Sequence, residues 1–150
     1  MKLFLGTIAI ALSFPAWADF TGKVVGIADG DTITVLRDKE QVKVRLAEID
    51  APEKAQPFGN RSKQALSALV FGNQVLVVDQ GQDRYKRTIG RVYQGGFDVS
   101  AELVKQGMAW VYRKYSKDKT LLLLEDEAKS QRLGLWLDVD PVPPWEWRRK

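Results

Sequence analysis

Residues 41–47 alternate without a break. Val42, Val44 and Leu46 fall on one side of the chain, Lys43 and Arg45 on the other, which is the period-2 pattern of a half-buried strand. It is the third such segment in a row. Residues 20–28 carry Val24, Val25 and Ile27, and residues 32–36 read T-I-T-V-L. Asp29-Gly30 supplies a hairpin-type turn between the first two strands, and the polar stretch 37–40 turns the chain into the third. Three consecutive strands joined by tight turns predict an antiparallel sheet.

After a loop at 49–58, which holds Pro52 and Pro57, the period changes. Ala65, Leu66, Leu69 and Val70 form a helical stripe within 59–71, and Gly72 follows as a stop. Strands are expected at 74–78 and 88–94, separated by a charged surface loop at 80–87. Asp98 can cap a short helix that ends at Gly107, and a last helix is expected over 120–133, before Gly134. Five short strands with a helix between the third and fourth is the order of an OB-fold β-barrel. The expectation is an α+β fold: a five-stranded OB-fold barrel with three helices, spanning residues 19–140, with a Pro/Trp/Arg-rich tail at 141–150.

The first eighteen residues read differently. Lys2 is followed by a nearly continuous apolar run over 3–14 and then by Ala16-Trp17-Ala18 before Asp19. This is the pattern of a secretory signal peptide cleaved after Ala18, and the run is short for a bilayer span. The mature chain is expected to be exported, periplasmic or secreted.

The chain has no cysteine and no histidine. That excludes disulfides, thiolate metal sites, a cysteine nucleophile and every histidine-dependent triad or acid–base pair. Catalysis here would run on carboxylates, Arg, Lys, Tyr, backbone groups or a hard metal ion. Lys and Arg number 23 against 19 acidic residues, for a net charge of +4, a balance that favours an anionic partner.

Four clusters carry candidate chemistry. Asp29-Gly30-Asp31-Thr32 is a β-turn or part of a cation site. Arg45 to Glu53 reads R-L-A-E-I-D-A-P-E. Arg45 lies on the polar side of its strand, and the strand must end before Asp50. Asp50 and Glu53 then share a tight loop, either as a solvated acidic loop or as oxygen donors for Ca²⁺ or Mg²⁺. Asp83-Arg84-Tyr85-Lys86-Arg87 is a charged loop or a phosphate clamp. Trp110 to Tyr115, W-V-Y-R-K-Y, mixes core packing, to which Trp110 is assigned, with cations and aromatics suited to base stacking.

Taken together these clusters resemble the thermonuclease (staphylococcal nuclease-like) family. The matching motifs are D-G-D-T at 29–32, R-L-x-x-I-D-x-P-E at 45–53 and D-R-Y-x-R at 83–87. They continue with E-L-V-K-Q-G at 102–107, A-W-V-Y at 109–112 and L-G-L-W at 133–136. The short 53–59 loop and the P-P-W-E-W-R-R tail resemble the secreted or periplasmic Gram-negative branch.

The resemblance implies a Ca²⁺-dependent endonuclease that hydrolyses DNA and RNA with little sequence preference and leaves 3′-phosphate ends. It implies Ca²⁺ on Asp31, Asp50 and the main-chain carbonyl of Ala51, where the family has Thr. It implies catalytic roles for Arg45, Glu53 and Arg87, and a nucleotide contact for Tyr85. Tyr115 matches an aromatic lining the nucleotide pocket, and Arg113 stands where the staphylococcal enzyme has that aromatic's partner. Arg84 and Lys86 join Tyr85, Arg113 and Tyr115 as expected substrate contacts. Lys86 replaces a glycine usual in the family, so a positive φ there would strain it by about 1 kcal/mol. A monomer acting on single-stranded or frayed nucleic acid is expected. The alternative is an OB-fold module that binds nucleic acid without cutting it.

Overall fold

The computed structural model describes residues 18–150, so all of the expected signal peptide but Ala18 lies outside the described residues. The elements run β1 (Phe20–Asp29), β2 (Thr32–Arg37), β3 (Glu40–Leu46), β4 (Ile49–Asp50), α1 (Gly59–Val70), β5 (Gln74–Gln82) and β6 (Thr88–Gln94). They continue with β7 (Phe97–Asp98), α2 (Val99–Lys105), β8 (Trp110–Val111), α3 (Lys119–Ser130), a 3₁₀ turn (Gly134–Leu137) and α4 (Pro144–Trp147).

β1 pairs antiparallel with β2 and with β5, β2 with β3, and β5 with β6. A parallel pairing of β3 with β6, with Val44 opposite Thr88, closes the ring. This is the expected five-stranded OB-fold barrel, with helices of twelve, seven and twelve residues around it. The alternation predicted for β3 holds: Val42, Val44 and Leu46 are buried. They meet Val24, Ile33, Val35, Val77 and Val92 inside, and α1 packs Leu66 and Val70 against the same cluster. Each such side chain contributes about 1.5–3 kcal/mol by leaving water. A one-residue slip of β3 would drive Lys43 and Arg45 into this interior, so the core fixes the register that keeps Arg45 outside.

Several boundaries differ from the sequence expectation. β5 runs on to Gln82, through residues assigned to a loop. A register shift between Asp79 and Gln82 allows this, with Gly81 at φ 109° and its N–H held by the Asp79 carboxylate at 2.8 Å. β4 lies inside the expected 49–58 loop. β3 ends at Leu46, Glu48 turns the chain with φ 69°, and Ile49 and Asp50 then pair with Val111 and Trp110. α3 ends at Ser130 rather than 133, because Arg132 and Gly134 adopt positive φ. A fourth, four-residue helix, α4, forms in the tail where none was expected.

Candidate active site

A cleft of about 1110 Å³ opens on the outer face of the barrel. Its walls come from the β1–β2 turn, the end of β3, β4 and the residues after it, the β5–β6 loop, the chain after β8, and the tail.

The β1–β2 turn supplies Asp29 and Asp31. Asp29 accepts the Asp31 N–H at 3.1 Å, and Asp31 accepts the Ala51 N–H at 2.8 Å. This close seating requires Gly30, since a Cβ there would lie 2.7 Å from Ser62 Cβ and 2.8 Å from Ala51 Cβ. Asp31 is thereby locked beside β4, which carries the fully buried Asp50. Gly59 plays the same part for Glu53: a Cβ at that position would stand 2.1 Å from the Glu53 carbonyl oxygen. The Glu53 N–H is also held by the Gln56 side chain at 3.1 Å.

Arg45 projects from the outer face of β3. Its Nη1 donates to the Leu46 and Ile49 carbonyls at 2.7 and 3.0 Å. Its Nη2 reaches Asp50 Oδ1 at 3.2 Å and Asp31 Oδ2 at 3.3 Å. One guanidinium nitrogen therefore joins carboxylates that are nineteen residues apart in sequence. Arg87 enters from the other wall, its Nε bound to Asp83 Oδ2 at 2.7 Å. Arg84 and Arg87 both lie over the exposed Tyr85 ring, 4.9 and 5.5 Å from its centroid. Tyr115 stands exposed on the far side, edge-on to Tyr112.

The electrostatics follow from this crowding. Burial raises the Asp50 carboxyl above the ordinary carboxylate range; the hydrogen bond from Arg148 works against that, and the charge of Asp31 adds to it. Asp29 is pushed up to about 6, by burial first and by Asp31 next. Asp83 goes the other way. Burial opposes the shift, but the hydrogen bonds from the Arg87 backbone and side chain and from the Tyr85 N–H outweigh it.

The structure thus brings Asp31, Asp50, Glu53, Arg45, Arg84, Tyr85, Arg87 and Tyr115 to one cleft. Ala51 lies buried against Asp31. Two expected substrate contacts lie elsewhere. Arg113 turns away to the buried Glu125 carboxylate, at 2.7 Å, because that carboxylate on the inner face of α3 attracts the nearest cations. Lys86 sits at the tip of its loop with φ 63°, outside the cleft lining, and occupies the left-handed region expected of a family glycine.

Arg148 was missed. Its guanidinium bonds both Asp50 oxygens and Glu53. The one sequence signal was the basic end of the tail, Arg148-Arg149-Lys150, which carries no indication of where it docks. Lys43 also lines the cleft and was legible, since it shares the polar face of β3 with Arg45.

Chemically the cleft sets oxygen donors beside fixed cations, with an accessible glutamate between them and exposed aromatic faces at the rim. It can hold an anionic diester, stabilise added charge on it, and accept a proton.

The family model of staphylococcal nuclease homologues matches residues 43–138. A protein named micrococcal nuclease from Shigella flexneri is 46% identical, over 99% of this chain and 92% of its own length. An uncharacterised endonuclease from Haemophilus influenzae is 48% identical, over 87% of this chain and 74% of its own. Another from Escherichia coli O157:H7 is 43% identical, over 100% of this chain and 99% of its own.

Proposed function

This chain belongs to the family of staphylococcal nuclease homologues and is an endonuclease of it; on that premise we propose that it is a Ca²⁺-dependent phosphodiesterase. We propose that it cuts DNA and RNA with little sequence preference and leaves 3′-phosphate ends. The observation that carries this reading is the convergence of Arg45, Arg87, Asp31, Asp50 and Glu53, drawn from four separate segments, on one open cleft.

The donor set suits a hard cation. Asp31 and Asp50 lie within 3.3 Å of the same Arg45 nitrogen, so their oxygens already converge on positive charge. Among the described residues no three carboxylates cluster closely enough to hold an ion by themselves. Asp31, Asp50 and the Ala51 carbonyl would supply part of the shell and water the rest, a mixed and irregular coordination that Ca²⁺ tolerates better than Mg²⁺. When bound, the ion supplies Lewis-acid stabilisation of negative charge on the phosphate oxygens.

The chain's own residues do the remaining work. Arg45 and Arg87 donate to the non-bridging oxygens, where charge grows as water adds to phosphorus. Arg45 is anchored by two backbone carbonyls through Nη1 and Arg87 by Asp83 through Nε. Glu53 accepts a proton from, or orients, the attacking water. The bond from phosphorus to the 5′ oxygen breaks, that oxygen takes a proton from solvent water as it leaves, and Glu53 returns the proton it accepted to solvent. Tyr85 and Tyr115 offer faces to bases, and contacts of this kind discriminate little between sequences.

We also propose that residues 1–18 direct export and are removed, and that the mature protein is a monomer. N-terminal sequencing of the protein recovered outside the cytoplasm should then begin at Asp19.

The central test is cleavage of single-stranded DNA in Ca²⁺ and in EGTA, with Glu53→Gln assayed beside the unmodified chain. Cleavage should disappear in EGTA. Glu53→Gln should lose about 10²–10⁴-fold in rate while its affinity for DNA in a binding titration is retained. Full activity in EGTA removes the metal from the mechanism. Equal loss of binding and rate means that Glu53 acts through the loop or the metal instead.

A further inference from the structure

The tail does not trail away from the domain. Val142 offers its carbonyl to Gln56 Nε2 at 2.6 Å, and Pro144, at the first position of α4, is buried. Trp145 then stacks on Tyr112, with centroids 5.3 Å apart and rings 5° from parallel. It also meets Trp110 edge-on at 5.6 Å. These contacts dock α4 at the mouth of the cleft and aim the next residue but two inward. Arg148 Nη1 lies 3.1 Å from Asp50 Oδ1 and 2.8 Å from Glu53 Oε1, and Nη2 lies 2.9 Å from Asp50 Oδ2.

Both oxygens of a buried carboxylate are thus committed to one guanidinium. A bidentate, charge-assisted pair of this kind is the strongest hydrogen-bonding arrangement open to a carboxylate on a protein. Oδ1 accepts from both Arg45 and Arg148, and Oδ2 from Arg148, so any cation that takes Asp50 as a ligand meets the Arg148 charge at either oxygen and competes with it. The two arginines at Asp50 are not equivalent in this. Arg45 is tied to the Leu46 and Ile49 carbonyls and its side chain is 14% exposed. Arg148 bonds carboxylates alone and its side chain is 39% exposed. It is the one that can be released.

We infer that Arg148 is an internal counter-cation that competes with the divalent ion for Asp50, so that the docked C-terminal tail sets the affinity of the centre for metal. The inference rests on the proposed Ca²⁺ site. Without metal, Arg148 holds Asp50 and Glu53 together despite their like charges and keeps the cleft in shape. Metal binding exchanges one cation for the other and frees the guanidinium into the cleft. The apparent dissociation constant is the intrinsic one divided by the fraction of time that Arg148 is away. If it is away for roughly one tenth to one hundredth of the time, the tail weakens binding about 10- to 100-fold.

The test is a calorimetric titration with CaCl₂ and no nucleic acid, on the unmodified protein and on Arg148→Gln. The variant should bind Ca²⁺ at least about tenfold more tightly. Trp145→Ala, which loosens the anchor and leaves every charge in place, should tighten binding by a smaller factor; should Arg148→Gln fail to fold, this variant decides, with tighter binding supporting the inference and unchanged or weaker binding overturning it. Unchanged or weaker binding in Arg148→Gln overturns the inference; weaker binding would make Arg148 a prop for the ligands rather than their competitor. Where the unmodified protein binds Ca²⁺ and the variants bind no more tightly, this inference alone fails. Where neither binds, the proposed metal fails and the inference falls with it.

Discussion

Glu48 and Asp50 stand two residues apart and head two clusters of arginine and carboxylate that behave differently. In the first, Arg91 gathers Glu48, Asp98 and Asp118. In the second, Arg45 and Arg148 face Asp31, Asp50 and Glu53, with Asp29 behind them. Each cluster carries two more negative charges than its guanidinium groups balance. In the first, the fold answers that surplus. Asp98 accepts the Ala101 N–H at the start of α2, and Asp118 accepts the Thr120 and Leu121 N–H groups at the start of α3. Two helix N-termini thus absorb the excess charge. No such helix start bonds the second set among the described residues, and the Asp29 carboxyl is pushed up to about 6, by burial and by Asp31. If the second cluster is the reactive centre proposed above, arginine–carboxylate content does not separate it from a structural joint. What would separate them is whether the fold supplies the balancing charge or leaves that to a ligand.

Removing the central cation is the sharpest test of this difference. Arg91→Leu leaves three carboxylates unpaired beside a side chain only 11% exposed, and should cost roughly 3–5 kcal/mol, the scale of breaking a buried pair from one side. Arg148→Gln leaves the buried Asp50 still paired with Arg45 and opens a 39% exposed position to water, so it should cost less, about 1–2 kcal/mol. Urea denaturation of both variants checks the pair of values. Equal losses would mean that the tail cluster is a structural joint as well.

The reverse holds for activity. Arg87→Ala should slow cleavage about 10²–10³-fold, roughly 3–4 kcal/mol in the barrier, as loss of a preorganised donor to a charged transition state does. Its urea midpoint should barely move, because Arg87 bonds a loop carboxylate and packs on an exposed tyrosine. Near-normal turnover would place the phosphate clamp elsewhere in the cleft.

A smaller effect is expected at Lys86, whose φ of 63° costs an L-residue about 1 kcal/mol. Lys86→Gly should raise stability by about 0.5–1 kcal/mol in urea, partly offset by the greater freedom of glycine in the unfolded chain. No gain would mean that the Lys86 N–H bond to the Asp83 carbonyl, at 3.1 Å, already compensates the strain.

The barrel and most of the cleft were legible in sequence because their signals are local. Alternation fixes the faces of β3, and with them Arg45. Asp29-Gly30-Asp31 lies in one turn, and Pro52 marks the end of pairing after Asp50. What escaped depends on contacts with no local signature. The Arg148–Asp50 pair spans 98 residues and forms because Trp145 finds Tyr112, a match of surfaces rather than of pattern. Glu125 gives no warning inside an amphipathic helix, yet it is fully buried, bound to the Val111 N–H at 2.6 Å, and draws Arg113 away from the cleft. The extension of β5 to Gln82 depends on a bulge at Gly81, and a glycine in a polar run reads equally well as a loop.

The smallest expected effect separates charge from shape within the structural cluster itself. Asp118 titrates below the ordinary carboxylate range. Burial works against that, but the bonds from the Leu121 N–H, Arg91 and the Thr120 N–H outweigh it. A carboxyl that is more acidic in the folded chain than in the unfolded one adds stability above its unfolded pKa, near 4, and loses it as pH falls through the folded value. Asn at this position keeps the helix cap and the side-chain shape, and loses the charge that faces Arg91. Asp118→Asn should therefore be less stable than the unmodified protein at pH 7 by a few tenths to about 1 kcal/mol, the scale of a partly exposed pair. The gap should narrow as pH falls below the unfolded value and close once the native carboxyl is protonated as well. Urea midpoints for the two proteins at neutral and acid pH measure it, and acid effects common to both cancel in the difference. A gap that persists at low pH would mean that Asp118 acts by geometry alone, and that the two clusters are not distinguished by how the fold balances their charge.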